Sequence, residues 1–374
     1  MKILHIITSM HTGGAEKFCV DLCNTQVNIS KNDIFLCVLD SITEKHTLLD
    51  LLSPSVQLIS LNKEGGYSIR VIYKIYQLFK TIKPDIVHLN GRALVYSAIP
   101  IILNKIPSIY TVHTMADKEH NKFIRTYIKL LFNRFPALFK PVAISTSVSR
   151  TIQSTYGSHL THTIYNGSSK LSLSNEYKKV VSFMKENKLN EKTIIFLYLG
   201  RFQQAKNTLL LIDVFNHLLE MNCNIKLFLV GYDPVPNQVY LKQCEDRNKF
   251  PKSIIFLGRK DNVADYLYSV DALCLTSHYE GLGIAALEAF SMGVPVLSTP
   301  SGGPEDIIID GINGYISEKI NVDSYVKIIK KFIEKPLKDR AKIVEIYNKN
   351  YTMEICANKY LACYKNCIQN SMKK

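Results

Sequence analysis

Runs of consecutive apolar residues alternate with segments of helical period along the first half of the chain. Residues 2–8 and 33–39 are mostly apolar without the alternation of a half-exposed strand, which is typical of strands buried on both faces. Between such runs, apolar residues recur at the spacing of an amphipathic helix. The pattern predicts a parallel sheet covered by helices on both faces. Further strands are predicted at 56–61, 85–89, 108–112, 141–144 and 162–165, and helices at 14–30, 67–82, 94–104, 117–139 and 147–156.

The same pattern restarts after a polar stretch. Residues 169–191 are rich in Ser, Lys and Asn, and they predict an interdomain linker. We therefore expect an N-terminal domain at 1–168, a C-terminal domain at 192–350, and a last helix at 351–374 that packs back on the first domain. Strands of the second domain are predicted at 193–199, 225–230, 253–257, 272–276 and 294–298, helices at 207–221, 237–248, 263–268, 283–292, 304–309 and 322–334, and a wholly helical tail at 338–370.

This order of elements predicts an α/β architecture of two doubly wound, Rossmann-like domains facing each other across a cleft. Ligands of such sheets bind beyond the carboxyl ends of the strands. A length of 374 residues suffices for two cores, and 47% apolar with 21% charged residues is ordinary for a soluble globular protein. No stretch approaches the ~20 apolar residues of a membrane-spanning helix. Residues 2–8 are interpreted as a buried strand rather than part of a leader peptide.

The nine cysteines include no Cys-x-x-Cys pair. Cys19 and Cys23 are four residues apart, the spacing of one helix face, but no histidine accompanies them at ligand spacing in the sequence, which disfavours a zinc site. Reduced thiols in a cytosolic protein are therefore the expectation.

The segment 277–289 carries the strongest chemical signal. Glu280 lies in a glycine-containing turn after the apolar run 271–276, and Glu288 lies eight residues further on, inside a predicted helix. A strand, a glycine turn and a helix in this order direct backbone N–H groups at an anion. The turn residues Gly281, Leu282 and Gly283 would then bind phosphate, while the two carboxylates suit sugar hydroxyls. The segment predicts a sugar-nucleotide site.

Two more turns follow predicted strands of the second domain. Arg201 and Lys206 flank one of them and could both reach a diphosphate, although two solvated surface cations are the alternative. Gly302 and Gly303 form another, with Pro304 placed to open a helix; it offers backbone N–H groups to phosphate, or is a simple tight turn.

His113 follows the predicted strand 108–112, where ligands bind. A histidine there could donate to a sugar hydroxyl or a carbonyl, and a satisfied histidine at a strand end is the alternative. His88, inside an apolar run, is expected to be structural.

Taken in order, these motifs resemble the family-four retaining glycosyltransferases of the GT-B fold. Four motifs of the second domain match in order. They are Gly200-Arg201 with Lys206-Asn207, then Glu280 and Glu288 with residues 289–296 directly after it, then residues 302–306, and last residues 310–315. The first domain matches more loosely, through 13–16, 84–88, 111–113 and 165–167. The resemblance covers nearly the whole chain.

The resemblance implies transfer of a sugar, with retention, from a nucleotide-diphosphate donor to a saccharide or lipid-linked saccharide. It also implies a place in the biosynthesis of a surface polysaccharide: capsule, lipopolysaccharide or exopolysaccharide. In the second domain, the resemblance implies that Glu288 binds the ribose, that Glu280 contacts the transferred sugar, and that Arg201 and Lys206 bind the diphosphate.

In the first domain, it implies that the backbone at Gly13 and Gly14 approaches the phosphates or the acceptor closely, and that His113 contacts the donor sugar near the reacting carbon. It also implies ligand binding by Asn166, which follows Tyr165 where the family often has proline.

No Asp-x-Asp lies at a predicted strand end, so we expect transfer without a metal or other cofactor. A nicotinamide-dependent oxidoreductase would need Gly-x-Gly-x-x-Gly after an opening strand, and residues 9–17 contain only Gly13-Gly14. A nucleic-acid binder would need a basic face with stacking aromatics or a recognised module, and none is evident. A catalytically inactive sugar-nucleotide-binding scaffold is disfavoured because the four charged residues of the predicted site are all present.

The net charge of +14 is concentrated in the first half, where residues 1–170 hold 19 basic against 10 acidic side chains. Residues 118–140 predict a basic, aromatic and amphipathic helix, which fits a helix lying on an anionic membrane. A cytoplasmic protein attached to the inner face of the membrane would result, and an ordinary helix with its apolar face in the core is the alternative. The apolar positions are Phe123, Ile124, Tyr127, Ile128, Leu131 and Phe135, and the basic ones are Lys118, Lys122, Arg125, Lys129 and Arg134.

Overall fold

The computed structural model describes residues 1–11, 13–42, 48–157 and 162–372. The chain divides into two compact units, one formed by Met1–Ser169 with Tyr351–Lys374 and the other by Lys170–Asn350. The last two residues of the predicted segment 351–374 lie outside the described part. Within that part, no helix combines the length and the apolarity that crossing a bilayer requires.

The first unit is built on a parallel sheet that has seven strands in the described residues, in the order β3-β2-β1-β4-β5-β6-β7. Strand β1, next to the central strand, is buried except at Lys2, and its Leu4 lies opposite both Phe35 and Val87. The strands are β1 Lys2–Ile7, β2 Asp33–Asp40, β3 Gln57–Lys63, β4 Ile86–Asn90, β5 Ser108–Val112, β6 Phe139–Ala143 and β7 His162–Thr163.

The second unit has a parallel sheet of six strands in the described residues, in the order β10-β9-β8-β11-β12-β13. The strands are β8 Ile194–Leu199, β9 Ile225–Val230, β10 Ile254–Gly258, β11 Ala272–Leu275, β12 Val296–Ser298 and β13 Gly314–Ile316. The two sheets confirm the predicted α/β class with two doubly wound sheets. Strand β13 was not predicted, because Tyr315 and Ile316 are its only apolar residues and polar residues flank the strand.

Helices connect the strands in both units. The first unit contains α1 Gly14–Ile29, α2 Ile69–Ile82, α3 Ala93–Asn104, α4 Ala116–Glu119, α5 Lys122–Arg134 and α6 Thr146–Tyr156. The second contains α7 Tyr177–Glu186, α8 Thr208–Glu220, α9 Val239–Arg247, α10 Val263–Tyr268, α11 Ile284–Ser291, α12 Val322–Glu334 and α13 Arg340–Asn350, and α14 Met353–Met372 returns to the first unit.

Chain direction decides which face of the first sheet each helix covers. The connections that contain α2, α3 and α5 all run the same way across the sheet, so right-handed crossovers place these helices on one face. Neighbours in this series pack on each other. Helix α1 runs the opposite way, and it packs against α14 on the other face.

Hydrogen bonds between buried polar side chains join α14 to the first sheet. The hydroxyl of Tyr364 lies 2.7 Å from Nδ1 of His88 and accepts from Nε2 of Gln26 at 3.2 Å. Nε2 of His88 lies 2.7 Å from the hydroxyl of Thr111, which in turn lies 2.9 Å from that of Tyr360. Burial lowers the pKa of His88 well below its ordinary value, with smaller contributions from neighbouring histidines. His88 therefore bonds as a neutral ring, in its expected structural role.

Several predicted elements end differently in the structure. The predicted helix 117–139 was wrong, because Asn121 starts a new helix by accepting the Ile124 N–H at 3.0 Å. Pro136, which has no amide hydrogen, follows the end of α5, and β6 begins at Phe139. The tail 338–370 was also wrong as one helix. It breaks at 351–352, where Ser168 donates to the Tyr351 carbonyl at 3.0 Å and accepts from Met353 at 3.0 Å.

Three shorter predictions also need correction. The segment 169–191 is not a plain linker, since it contains α7 and, from Lys170 onward, belongs to the second unit. The predicted helix 304–309 is only a 3₁₀ turn, Gly303–Asp306. The predicted strand 162–165 pairs only over His162–Thr163.

We predict that Tyr364→Phe lowers the free energy of unfolding by about 1–3 kcal/mol, because its buried partners His88 and Gln26 lose their shared hydroxyl. Chemical denaturation followed by circular dichroism measures the change. Tyr73→Phe is the matched control, since the side chain of Tyr73 is 64% exposed and its loss of a hydroxyl should cost almost nothing. Equal stability of the two variants would contradict the role given to Tyr364.

Candidate active site

The turn after β8 carries two cations. Gly200 follows the last residue of this strand, and the carbonyl of Gly200 lies only 1.8 Å from where a Cβ on Gly231 would be. Phe202 is buried and ties the turn down by donating to the Tyr232 carbonyl at 2.8 Å. The partly buried guanidinium of Arg201 forms no ion pair with any residue of the described ranges. Arg201 is thus a positive charge held at the carboxyl end of a buried strand.

Lys206 and Glu280 form an ion pair, although 74 residues separate them in the chain. Nζ of Lys206 lies 2.5 Å from Oε1 of Glu280, which also accepts from the Ser277 hydroxyl at 2.7 Å. The side chains are 27% and 11% exposed, so water screens the pair only in part. Two predicted site residues are therefore in direct contact, and Ser277 is a third member that sequence reasoning missed.

Backbone hydrogen bonds hold the two turns in this arrangement. The amide of His278 donates to the Ala205 carbonyl at 2.9 Å, and the Thr276 hydroxyl donates to the Lys206 carbonyl at 3.2 Å. These bonds are possible because β11 pairs directly with β8. The position of Lys206 relative to Glu280 thus follows from strand pairing.

A third turn, after β12, packs on the second. Glu280 donates its amide to the Ser301 carbonyl at 2.8 Å and accepts from Gly303 at 3.0 Å. A Cβ on Gly303 would lie 2.3 Å from the Cα of Leu282, so only glycine allows this approach. Gly302 has a φ of 106°, and its amide donates to Glu305 at 2.5 Å. A carboxylate of the protein itself thus occupies the anion-binding position of this turn.

Helix α11 begins directly behind these turns. Gly283 precedes it with a φ of 91°, in the left-handed region that favours glycine. Because first-turn amides of a helix lack partners within the helix, the start of α11 presents N–H groups beside Gly281 and Leu282. Glu288 lies in the second turn of the helix and is partly buried. The turn and helix predicted for Glu280 and Glu288 are therefore present.

His113 lies in the first unit, directly after β5, and its ring is oriented by Asn90 at the end of β4. Nε2 of His113 lies 2.8 Å from Oδ1 of Asn90, whose amide nitrogen donates to the Ile6 carbonyl at 3.4 Å. Since Oδ1 can only accept, Nε2 of His113 carries the proton. Burial lowers the pKa of His113 to about 4, so the neutral ring presents Nδ1 as an acceptor. The expectation that this ring donates to a sugar hydroxyl does not fit this tautomer.

The remaining predicted residues of the first unit lie in two places. Gly13 and Gly14 begin α1, and Gly13 has an extended φ of −167°. A Cβ on Gly13 would lie 2.2 Å from a carboxylate oxygen of Glu16, so Glu16 folds back over the start of the helix. Asn166 is buried, and its Oδ1 has no hydrogen-bond partner among the described residues. It is a free acceptor beside Gly167, which packs tightly on Thr352 and Met353.

Sequence reasoning missed the buried carboxyl group of Glu119 and the position of His5 beside Cys19 and Cys23. Glu119 follows β5 near His113, and burial raises its pKa to about 8, so this carboxyl group is neutral near pH 7. His5, Cys19 and Cys23 have potential metal-ligand atoms within 4.8 Å of one another. Burial raises the pKa of the Cys23 thiol and lowers that of His5 to about 4. Cys19 and Cys23 belong to the hydrophobic core of the first unit.

Comparison with known families decides what this arrangement belongs to. Residues 12–168 match the family model "Glycosyltransferase Family 4", and residues 181–350 match "Glycosyl transferases group 1". The chain belongs to the family-four glycosyltransferases. This membership confirms the resemblance inferred from the motifs, and it places the chain among the sugar-transferring enzymes of class EC 2.4.

Individual relatives of this glycosyltransferase are distant. It is 30% identical to the N-acetyl-alpha-D-glucosaminyl L-malate synthase of Bacillus anthracis over 38% of this chain and 36% of that protein. It is 24% identical to CapH, a capsular polysaccharide biosynthesis glycosyltransferase of Staphylococcus aureus, over 80% and 81% of the two chains. The chain spans between 23% and 65% of the length of the first curated relatives that it matches.

Among solved structures, HepE of Anabaena in complex with UDP-glucose superimposes with a TM-score of 0.81. The sequence identity is 20%, and the match covers 98% of this chain and 100% of HepE. The glycosyltransferase therefore has the GT-B fold, as its motifs predicted.

We predict that nitrogen NMR of the histidine rings shows His113 with a protonated Nε2 and an unprotonated Nδ1 throughout pH 5.5–8, since its pKa is about 4. Asn90→Leu removes the acceptor and should release the tautomer, so that the two nitrogen shifts move towards their averaged values. Asn348→Leu is the control, because Asn348 is exposed on α13. A protonated Nδ1 in the unaltered protein would contradict the assignment.

Proposed function

We propose that this glycosyltransferase moves a sugar from a nucleotide-diphosphate donor to a saccharide or lipid-linked saccharide with retention of configuration. The observation that carries the proposal is the contact of Lys206 with Glu280 in front of the start of α11, with Arg201 on the same turn as Lys206. Cations, helix amides and carboxylates meet there at the carboxyl ends of neighbouring strands. This combination suits a ligand with both phosphates and hydroxyls.

The charges of the second unit account for departure of the nucleotide. As the bond to the sugar breaks, negative charge grows on the diphosphate, and prearranged cations and dipoles stabilise it. An ammonium group has three N–H donors, and Glu280 takes one of those of Lys206, which leaves others for phosphate oxygens. Arg201, which has no acidic partner in the described residues, supplies the second positive charge. The amides of Gly281, Leu282 and Gly283 add neutral donors.

The carboxylates have separate tasks in this proposal. Oε1 of Glu280 already accepts from Lys206 and Ser277, which leaves Oε2 to accept from a hydroxyl of the transferred sugar. Glu288, in the second turn of α11, accepts from the ribose hydroxyls. Neither group acts as a proton donor to the leaving group, because the diphosphate is stabilised by cations instead.

Residues of the first unit have proposed roles in sugar recognition. His113 accepts a hydrogen bond from a sugar hydroxyl at Nδ1, as its tautomer requires. Asn166 offers the ligand its Oδ1, which has no hydrogen-bond partner in the described part of the chain. At Gly13 and Gly14 the backbone can approach a phosphate or the acceptor only after the Glu16 carboxylate has moved away, because that carboxylate covers the start of α1.

We propose that transfer needs no divalent metal. Two cations and the start of α11 supply the positive potential that a metal would otherwise provide, and no Asp-x-Asp motif follows a strand. A uridine diphosphate donor is the first candidate, since HepE was solved with UDP-glucose.

The acceptor is proposed to be a growing surface polysaccharide or its lipid-linked precursor. CapH, which aligns with most of the chain, is named for capsular polysaccharide biosynthesis. The enzyme would then work in the cytoplasm, peripherally at the inner face of the cytoplasmic membrane, where such precursors are assembled. The excess of positive charge in the first half of the chain supports this location.

Loss of either cation should slow transfer by about 10²-fold or more, because each removes charge stabilisation from the transition state. Arg201→Ala should leave the melting temperature unchanged, since Arg201 has no ionic partner among the described residues. Lys206→Ala should also lower the melting temperature, because it leaves Glu280 without its counter-ion. Transfer is measured as nucleotide release in the presence of chelator. Lys178→Ala, a change at an exposed lysine of α7, is the control. Near-normal turnover in both variants would refute the assignment.

Glu288→Ala should raise the apparent KM for the donor more than it lowers kcat, because ribose contacts are made equally in the ground and transition states. Thermal shift against UDP-, GDP- and ADP-sugars first identifies the donor, since ligand binding raises apparent stability by mass action. Calorimetry then compares the donor affinity of the variant with that of Glu334→Ala, a change at the end of α12. Unchanged donor affinity in Glu288→Ala would exclude the ribose role.

A further inference from the structure

The helix layer formed by α2, α3 and α5 presents large apolar side chains to solvent. Phe123 is 87% exposed and Ile69 79%. We call the whole set the apolar helix face: Tyr67, Ile69, Tyr73, Ile99, Leu103, Phe123 and Leu130, each at least half exposed.

These side chains point away from the sheet by helical geometry. In α2 the buried residues are Val71, Ile75, Phe79 and Ile82, while Ile69 and Tyr73 lie one turn apart on the opposite side. In α5 the buried residues are Ile128, Leu131 and Phe132. Phe123 and Leu130 lie two turns apart on its outer side. The predicted amphipathic helix therefore has two apolar sides, and the one expected to contact a membrane is largely packed in the core.

The three helices form one continuous surface. They lie on the same face of the first sheet, with α2 packed on α3 and α3 on α5. The ring of Tyr67 stacks on that of Tyr96 of α3 at 5.0 Å. Ile99 and Leu103, one turn apart on α3, lie between the exposed residues of the two outer helices. Isolated exposed apolar residues need no explanation, but a contiguous set marks an interaction site.

Charge identifies the partner. Helices α2, α3 and α5 contain no Asp or Glu, but hold seven basic residues. Arg70, Lys74, Lys80, Lys122, Lys129 and Arg134 are exposed. Aromatic and aliphatic side chains surrounded by cations, with no carboxylate on the three helices, match the boundary between acyl chains and anionic headgroups. A nucleic acid would not favour exposed Ile and Leu, and a second copy of this face would bring like charges together.

We propose that the apolar helix face is the surface by which this protein lies on an anionic lipid bilayer. Phe123, Leu103 and Ile69 enter the headgroup boundary, and the surrounding lysines and arginines contact lipid phosphates. The inference rests on the proposed function in one respect: the proposed function places the enzyme at a membrane, and the inference names the surface that contacts it. It does not depend on the donor or on the transfer reaction.

A single reporter tests the contact directly, because the chain has no tryptophan. Phe123→Trp places one on the apolar helix face, and Leu51→Trp places one at a 55% exposed position of the same unit outside it. With vesicles of phosphatidylcholine and phosphatidylglycerol, the first should shift to shorter wavelength and be quenched by brominated acyl chains. The second should do neither. A Phe123→Trp emission that ignores anionic vesicles would overturn the proposal.

Co-sedimentation with the same vesicles measures the electrostatic and the apolar contributions to binding separately. Lys122→Gln with Lys129→Gln should weaken binding about fivefold per lysine, while the exposed-lysine control Lys178→Gln should not. Leu103→Asp should weaken it at least tenfold, and Leu51→Asp should leave it unchanged. Equal binding to phosphatidylcholine alone would remove the electrostatic part and overturn the proposal. The proposal would also be overturned if the protein formed a dimer without lipid and Leu103→Asp abolished that dimer. That result would assign the apolar helix face to contact with a second copy of the chain.

Failure here can be told apart from failure of the proposed function. The donor thermal shift is measured without lipid, and none of the residues proposed to bind the donor belongs to the apolar helix face. A donor shift without vesicle binding would refute only the membrane contact, and vesicle binding without any donor shift would refute only the transferase proposal.

Discussion

The close approach of Gly303 to Leu282 is the constraint on which the arrangement of the second unit's turns depends. No side chain fits between these backbones, so the turn after β12 rests directly on the turn after β11. The turn after β11 is also joined to the turn after β8, because the His278 amide donates a hydrogen bond to the Ala205 carbonyl. Three segments distant in sequence thus become one rigid support, and Lys206 meets Glu280 in a defined position. Prearranged charge of this kind costs no reorganisation during a reaction.

The first unit depends on a different feature: burial keeps three histidine rings neutral. His5, His88 and His113 all lose basicity through burial. His5 and His113 each form one side-chain hydrogen bond through a ring nitrogen, and His88 forms one through each of its two ring nitrogens. Asn90 and Gln26 fix the tautomers of two of these rings because their own amide nitrogens are already committed. Burial thereby turns three potential charges into directional contacts.

Sequence patterns predicted what local chemistry determines. Unbroken apolar runs identified the buried strands of both sheets, and glycine turns after strands identified the segments that carry Arg201, Lys206 and Glu280. The contact between Lys206 and Glu280 could not be predicted, because it follows from β8 pairing with β11. Asn90 was missed for the same reason, since only the pairing of β4 with β5 brings it to His113. Helical period identified α5 but could not distinguish its buried side from Phe123 and Leu130.

Helix α14 has a consequence for the order in which the protein can be made. It covers α1 and supplies the hydroxyls of Tyr360 and Tyr364 to the centre of the first sheet. A ribosome translates these residues only after the entire second unit. Until then the nascent first unit has an uncovered apolar helix and a buried histidine without its partners. The first unit therefore completes its fold last. A mutation in α14 would destabilise the unit that contains the amino terminus, although α14 is the last helix in the sequence.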